Sequence, residues 1–320
     1  MKHLLYSLIS AGLPIILGTS GKQRFSVLTF HRVLSKADYM RPNEPTIDRF
    51  DWQMELLARH FNPLSLSDAL LRLREKTLPP RSVCVTFDDG YADNATLAMP
   101  ILEKWKIPAT VFVSTGYLNG GLMWNDSILE SIRLADEETM DLSGLGLIEP
   151  SLTNHVERRK TAVAVISQIK HLPQSERDEV VQGIAKQVPQ LPTDFMMTDE
   201  QVVELMTRGI EIGAHTVTHP IMSTLQSEDA EREVVESSNY LTNLLGKPVR
   251  FFAYPNGRPS LDYRERDRDL VKRLGFEAAL STQWGAVSAK SDHWQLPRFT
   301  PWDKTTTRFQ ARLLHNFSRV

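Results

Sequence analysis

The sequence predicts an α/β fold in which about seven parallel strands form a barrel with helices around it. Short apolar runs alternate with helical patterns along most of the 320 residues, as expected of a parallel sheet with crossover helices. Most of these runs lack an alternation of apolar and polar residues, which indicates strands covered on both faces. That number of strands favours a barrel over an open sheet. The predicted strands are 25–30, 82–87, 109–114, 210–215, 250–255, 276–281 and 294–299.

Three helices between these strands carry recognisable end signals. The first, 46–61, begins at Thr46, a residue type whose hydroxyl caps helices. The second begins at Ser227, has acidic residues in its first turns and stops at Gly246. The third ends in the same manner at Gly275. We therefore expect these segments to be crossover helices on the outside of the barrel.

One stretch, about 120–205, interrupts the alternation of strands and helices. It contains several helical patterns and no convincing strand, which predicts an all-helical insertion in a barrel domain that extends over 25–320. The sequence leaves open whether this insertion also acts as a lid over the active face.

The N-terminal segment, 1–24, is predicted to be either a helix that covers the bottom of the barrel or a signal-like segment. Lys2 precedes an apolar stretch from Leu4 to Leu17, as in a secretory signal, but small and polar residues interrupt that stretch. It is too short to span a bilayer, and no other segment is suited to do so. We expect a protein that is cytoplasmic or peripheral to the inner membrane, or one that is exported if residues 1–20 are a signal peptide.

Composition excludes one class of partner and one kind of cross-link. The chain is 41% hydrophobic and 24% charged, as ordinary globular proteins are, and its formal net charge is -2. It therefore has no basic field for nucleic acid. The one cysteine, Cys84, excludes an internal disulfide, and its place in an apolar run predicts a buried core thiol.

Residues able to do chemistry occur at the ends of the predicted strands. Asp88 and Asp89 follow the second strand, His215 ends the fourth, His219 comes four residues later, and His31 follows the first. In parallel α/β folds the carboxyl ends of the strands lie at one face, so these side chains are expected to converge there. Two imidazoles and one carboxylate suit zinc or another first-row divalent ion.

The paired aspartates support the same interpretation. Two adjacent carboxylates in a low-dielectric pocket repel each other, which raises the pKa of one of them. A divalent cation removes this conflict for one carboxylate and leaves the other beside it as a general base. The alternative is an ordinary Asp-Gly turn at 89–90, which the neighbouring histidine pair makes less convincing.

Three motifs, TFDDGYADN, GAHTVTHP and FFAYPNG, occur in an order that resembles the polysaccharide deacetylases, the fourth family of carbohydrate esterases. The resemblance covers about residues 25–300 apart from the insertion. It implies a distorted (β/α) barrel and metal-dependent removal of N-acetyl, sometimes O-acetyl, groups from polysaccharides. By motif position it implies Asp88 as the catalytic base and Asp89, His215 and His219 as metal ligands. Zinc is the first expectation for the metal, with cobalt and nickel as alternatives.

The sequence departs from the commoner family pattern in two places. Many members carry Arg-Pro-Pro-Tyr where this chain has Ala253 to Asn256, so the arginine that orients the base is missing there. Arg298, in LPRF, is predicted to take that role, with an ordinary ion pair as the alternative. A late Leu-x-His, the usual source of the general acid, is also missing. The motif LTFHRV resembles the exopolysaccharide or biofilm branch, which implies His31 as the general acid, with a hydrogen-bonded core histidine as the alternative.

Further residues are expected to contact the substrate or the transition state. The backbone N–H of Asn256, in YPNG, is expected to hold the tetrahedral oxyanion together with the metal. Tyr254, Trp124 and Tyr91 are expected on the substrate side. The alternatives are that Tyr91 steadies the loop after the second strand and that Trp124 is a hydrophobic anchor for the next helix.

The sequence thus predicts a metal-dependent hydrolase that removes N-acetyl groups from a hexosamine-containing polysaccharide or oligosaccharide, with exopolysaccharide-assembly proteins as partners. The alternative is a catalytically inactive glycan-binding or assembly protein that keeps the fold, because the usual arginine and late histidine are missing. A hydrolase of phosphate esters is disfavoured, because no basic cradle for phosphate is evident.

Overall fold

Nine strands form one sheet in the part of the chain that the computed structural model describes, which is residues 23–136, 140–147, 149 and 151–319. The predicted N-terminal helix or signal-like segment lies almost wholly outside these residues. The strands are β1 (Arg24–Phe30), β2 (Asn62–Pro63), β3 (Ser82–Phe87), β4 (Ala109–Val113), β5 (Glu211–Ala214), β6 (Phe251–Ala253), β7 (Ala278–Trp284), β8 (Val287–Ser288) and β9 (Leu296–Arg298).

The sheet curls into a nearly closed barrel. Its strand order is β8-β1-β3-β4-β5-β6-β7-β9, and every neighbouring pair in this order is parallel except β8 with β1. Phe299, next to β9, closes the barrel onto β1: Thr29 N donates to Phe299 O (3.0 Å), and Phe299 N donates to Val27 O (2.7 Å). The predicted barrel of seven parallel strands is therefore confirmed. β2 and β8 are additions to it, each with two residues, too few to leave a pattern in the sequence.

Helices follow most of the barrel strands. They are α1 (Ile47–His60), α2 (Leu66–Glu75), α3 (Met99–Trp105), α4 (Trp124–Leu134), α5 (His155–Ile169), α6 (Gln174–Ala185), α7 (Asp199–Thr207), α8 (Ser227–Leu245), α9 (Glu265–Arg273) and α10 (Thr306–Ser318). The Thr46 side chain accepts from Arg49 N and so caps α1, and Gly246, at φ 66°, ends α8 in the left-handed conformation. None of the helices in the described ranges is long and apolar enough to cross a bilayer.

A cluster of apolar side chains fills the inside of the barrel. The inner cluster includes Phe25 and Phe112 from the strands, the thiol of Cys84, and Leu66 and Leu73 from α2. The start of α2 is bonded to the first residue of β5, since Leu66 N donates to a Glu211 carboxylate oxygen (3.1 Å). Hence α2 covers the end at which the strands begin, and the residues with chemistry lie at the opposite end.

The helical stretch at 120–205 divides into two parts. Helices α4, α5 and α6 share a cluster of their own, which includes Ile128, Val165 and Ile184. In contrast, α7 contributes Val202 and Leu205 to the larger cluster between the strands and the outer helices. The last helix of the stretch therefore belongs to the barrel, and the lid role of the first three stays a prediction.

Candidate active site

The three predicted metal ligands converge at the carboxyl ends of β3 and β5. Nε2 of His215 lies 3.3 Å from Asp89 Oδ1, and Nε2 of His219 lies 3.4 Å from the same oxygen. One ligand atom from each residue lies within 4.8 Å of the others. His215 Nδ1 donates to Ala253 O (2.7 Å), which leaves the lone pair on Nε2 and aims it at Asp89.

The chemistry of this set fits a divalent cation. Asp89 Oδ1 is buried and accepts no hydrogen bond from a described residue, so a negatively charged atom faces the two imidazoles without a donor. Burial lowers the pKa of His219 to about 4, which keeps that ring neutral and able to act as a ligand. One carboxylate and two imidazoles leave positions for water and substrate on a zinc-like ion.

The loops that carry these ligands adopt costly backbone conformations. Asp89 has φ 78°, Thr216 has φ 65° and His219 has φ 51°, all in the left-handed region. Such conformations cost about 1–3 kcal/mol each for residues other than glycine, and they cluster at functional sites. Gly90, at φ 91°, is needed for the same turn, because an added Cβ would lie 3.1 Å from Val113 Cγ1.

Asp88, the predicted base, is held by Arg298 from the other side of the barrel closure. The Arg298 guanidinium donates to both Asp88 oxygens at 2.7 Å, and its Nε donates to Ser281 O (2.9 Å). Both side chains are buried. Burial on its own would raise the pKa of the Asp88 carboxyl, but the charge of Arg298 holds that pKa below its ordinary value. Arg298 thus contacts the predicted base, and its part in the reaction stays a prediction.

His31 lies at the end of the strand beside Asp88. Phe30 of β1 pairs with Phe87 of β3, and Asp88 N donates to Phe30 O (3.0 Å), so His31 and Asp88 leave neighbouring strands at the same level. Asn94 holds the His31 backbone, since its Nδ2 donates to His31 O (2.9 Å). The His31 side chain is free to take part in proton transfer, because no described residue is hydrogen-bonded to its ring.

The charges around His31 favour its protonated form. Burial works against this by lowering the pKa, but the carboxylates of Asp89, Glu44 and Asp88 outweigh it and hold the His31 pKa above its ordinary value. A protonated imidazole beside the base is the arrangement that a general acid needs.

Asn256 lies in the turn after β6, the strand whose Ala253 O accepts from His215. The residue is exposed, has φ 55°, and its N–H donates to no residue in the described part of the chain. The turn is tight, since a Cβ on Gly257 would lie 3.0 Å from both Thr282 N and Tyr254 O. A backbone N–H without an acceptor suits an oxyanion, and the role of Asn256 stays a prediction.

The three residues expected on the substrate side are buried instead. Tyr254 is fully buried, stacks on Tyr263 (3.8 Å between ring centroids) and donates its hydroxyl to Trp294 O (2.9 Å). Tyr91 is 3% exposed and donates to Asp126 Oδ2 (2.7 Å). Trp124 is 6% exposed in the cluster of α4, α5 and α6. These side chains have no open face for a sugar, so a substrate contact through them is not supported. Tyr91 steadies the loop and Trp124 anchors a helix.

Sequence reasoning missed two residues that position the site. Glu233 of α8 accepts from Val217 N and Thr218 N (2.8 Å each), in the loop between the two histidines. Asp93 accepts from Val33 N (3.0 Å) and so holds the loop after His31. Neither residue carries a recognisable signal, since α8 begins with several acidic residues and Asp93 resembles a helix cap.

Comparisons with known proteins support the family resemblance. A family model described as polysaccharide deacetylase matches residues 75–279. The chain is 21% identical over 281 residues to YxkH of Bacillus subtilis, covering 88% of this chain and 72% of that protein. It is 28% identical over 175 residues to the poly-β-1,6-N-acetyl-D-glucosamine N-deacetylase of Staphylococcus aureus, covering 52% of this chain and 58% of that enzyme.

One solved structure supports the fold independently of these relatives. The Streptococcus pyogenes deacetylase PplD, solved in complex with acetate, superposes with a TM-score of 0.61 over 91% of this chain and 98% of its own. The sequence identity of that pair is 19%, so the likeness concerns the barrel and not its substrate.

Proposed function

The chain belongs to the polysaccharide deacetylase family of carbohydrate deacetylases, and on that premise we propose that it removes N-acetyl groups from a hexosamine-containing polysaccharide or oligosaccharide with a divalent metal ion. The observation that carries this proposal is the convergence of Asp89, His215 and His219 beside the Asp88–Arg298 pair. The relative from Staphylococcus aureus is named for N-deacetylation of poly-β-1,6-N-acetyl-D-glucosamine. Because the match spans 58% of that enzyme, its substrate supports the choice of an acetylated hexosamine and no more.

The metal would be held by Asp89, His215 and His219, with zinc as the first candidate and cobalt or nickel as alternatives. When bound there, such an ion supplies Lewis acidity toward the acetyl carbonyl and lowers the pKa of water. The neutral imidazoles and the single carboxylate leave the ion a net positive charge for this purpose.

The remaining steps belong to side chains of this chain. Asp88 takes a proton from the attacking water as the new C–O bond forms, and Arg298 keeps that carboxylate ionised and oriented. The backbone N–H of Asn256 donates to the developing oxyanion. His31 gives its proton to the amine nitrogen as the C–N bond breaks, which releases acetate and a free amino sugar.

The alternative of an inactive glycan-binding protein depended on two missing residues. Arg298 supplies a guanidinium to Asp88 from β9, and His31 supplies an imidazole beside it. The arrangement of groups therefore favours an active enzyme. Metal binding without turnover of any acetylated sugar would favour the inactive alternative.

The direct test is release of acetate from an acetylated substrate. The full chain, freed of metal and then supplied with zinc, cobalt or nickel, should release acetate from β-1,6-linked N-acetylglucosamine oligosaccharides. Release should stop on treatment with a chelator and return with added metal. If no metal supports release from N-acetylated hexosamine oligosaccharides of any linkage, while the protein binds metal, the proposal is wrong.

We also propose a place and partners for this activity. The net charge of -2 and the signal-like residues 1–20 suit either a protein at the inner membrane or in the cytoplasm, or an exported one. Proteins of exopolysaccharide assembly are the expected partners. N-terminal sequencing of the mature protein distinguishes the two locations, because removal of a signal peptide would leave a new N-terminus.

A further inference from the structure

The loop between the two histidines, 215–219 (the histidine loop), is bonded along its length to the segment 114–117. Every carbonyl from His215 to Thr218 accepts one hydrogen bond from that segment. The donors and acceptors are Ser114 Oγ to His215 O (3.0 Å), Thr115 N to Thr216 O (3.2 Å), Gly116 N to Val217 O (2.9 Å) and Tyr117 Oη to Thr218 O (2.8 Å).

Glu233 of α8 holds the N–H groups of the same loop. Its Oε2 accepts from Val217 N and Thr218 N, both at 2.8 Å, and its Oε1 accepts from the Thr218 hydroxyl at 2.6 Å. The side chain is 9% exposed, so these three bonds are made by a carboxylate with little access to water. Hydrogen bonds to a buried charge are stronger than those between neutral groups.

These bonds hold a backbone that the sequence would otherwise avoid. Thr216 is β-branched and has φ 65°, a conformation that is rare for such residues, and His219 has φ 51°. Without Glu233, two partly buried N–H groups of the loop would lose their protein acceptor, and the loop would relax toward ordinary backbone angles. Because His215 and His219 are the first and last residues of the loop, such a relaxation would move their Nε2 atoms apart.

We propose that Glu233 is a positioning residue that sets the metal affinity of this site by holding the histidine loop in its left-handed conformation. The proposal rests on the proposed metal site and adds a residue that touches neither metal nor substrate. Gly116 completes the same clamp from the opposite side, because an added Cβ there would lie 2.8 Å from Val217 O.

The experiment measures the Kd of Co²⁺ and Zn²⁺ for the metal-free full chain, by calorimetry or by competition with a coloured chelator. Glu233→Ala should raise that Kd by about 10–100-fold, as loss of partners that orient metal ligands does. Glu233→Gln should recover most of the affinity, because its amide oxygen can still accept from both N–H groups. Glu236→Ala, at an exposed position of the same helix, is the matched control and should bind as the parent does. At saturating metal the kcat of Glu233→Ala should approach that of the parent.

Four results would overturn the proposal. A parent-like Kd for Glu233→Ala shows that the loop does not need the clamp. A Glu233→Gln variant as weak as Glu233→Ala shows that charge, and not geometry, is responsible. If Glu233→Ala loses its native circular dichroism, Gly116→Ala is measured in its place. An unchanged metal Kd in Gly116→Ala would also contradict the proposal. If the parent protein binds no ion, the proposed metal site itself is wrong. If the parent binds an ion and Glu233→Ala binds it equally well, only the role of Glu233 is wrong.

Discussion

Arg298 and Asp88 form a buried ion pair with two parallel hydrogen bonds of 2.7 Å, across 210 positions of the chain. The arginine lies at the end of β9, whereas the motif FFAYPNG, at the end of β6, contains no arginine. β9 neighbours β7 on one side and bonds to β1 next to Arg298, so its end reaches the end of β3 across the barrel closure. Strand β9 thus supplies the guanidinium that pairs with the predicted base.

Removal of Arg298 should destabilise the fold as well as the chemistry. In Arg298→Ala the buried Asp88 carboxylate loses its partner, and such a loss costs about 3–5 kcal/mol in the free energy of unfolding. Denaturant titration of the metal-free protein measures this. The double variant Arg298→Ala/Asp88→Asn should be more stable than Arg298→Ala, because it buries no unpaired charge. Losses that simply add in the double variant would contradict the coupling of the pair.

The two adjacent aspartates should separate chemistry from metal binding. Asp88→Asn should lower kcat for N-acetyl hydrolysis by about 10²–10⁴-fold, because the proton acceptor is lost, while the metal Kd stays within a few-fold of the parent. Asp89→Asn should weaken metal binding itself, because it removes the negative ligand. Acetate release measured beside calorimetric titration distinguishes the two. Turnover of Asp88→Asn at the parent rate would refute its role as the base.

The leaving group should reveal whether His31 is the general acid. His31→Ala should lower the rate on an N-acetylated oligosaccharide by about 10²–10⁴-fold, because an amine must be protonated to leave. The same variant should hydrolyse 4-nitrophenyl acetate within a few-fold of the parent, because nitrophenolate leaves without a proton. The rate on the oligosaccharide should fall in the parent as rising pH removes the His31 proton, and this decline should be absent in the variant. Equal losses on both substrates would assign His31 a structural role.

The sequence predicted the ends of the strands better than the environment of the side chains near them. Asp88, Asp89, His215 and His219 could be placed together because parallel strands end at one face and because their spacing matches known motifs. Tyr254 has no such signal. It directly follows β6, which has three residues, all buried, so no alternation tells which face it occupies. Tyr254 stacks on Tyr263, nine positions later, and the sequence does not reveal the direction of the Tyr263 side chain either.

Positioning residues were hidden for a different reason. Glu233 acts on the histidine loop from the middle of α8, but its neighbours on that helix include several acids that only face solvent or distant arginines. Its role depends on the depth at which α8 packs against β5, a tertiary property. Arg41 is similar, because two of its partners, Asp126 and Glu130, lie on a helix more than 80 residues away.

Arg41 should prove to be the main electrostatic link between the barrel and α4. It is 9% exposed and donates to Asp126 (2.5 Å) and Glu130 (2.6 Å). Asp126 also accepts from the hydroxyl of Tyr91, which lies in the loop after β3 that carries Asp89. Arg41→Ala would leave the buried Asp126 without a cationic partner, while Glu130 would keep its pair with Arg133 (2.8 Å). Breaking the buried pair with Asp126 should cost about 3–5 kcal/mol in the free energy of unfolding.

The control for Arg41 is an exposed ion pair between an arginine and a glutamate of α1. Arg59→Ala removes the surface pair of Arg59 with Glu55 and should cost less than about 1 kcal/mol. Because Asp126 steadies the loop through Tyr91, Arg41→Ala should also weaken metal binding at temperatures where the protein remains folded, whereas Arg59→Ala should not. Denaturant titration and metal titration of both variants test this. An Arg41→Ala protein as stable as Arg59→Ala would mean that α4 docks without the Arg41 pairs, through its apolar cluster and the pair of Arg133 with Asp38.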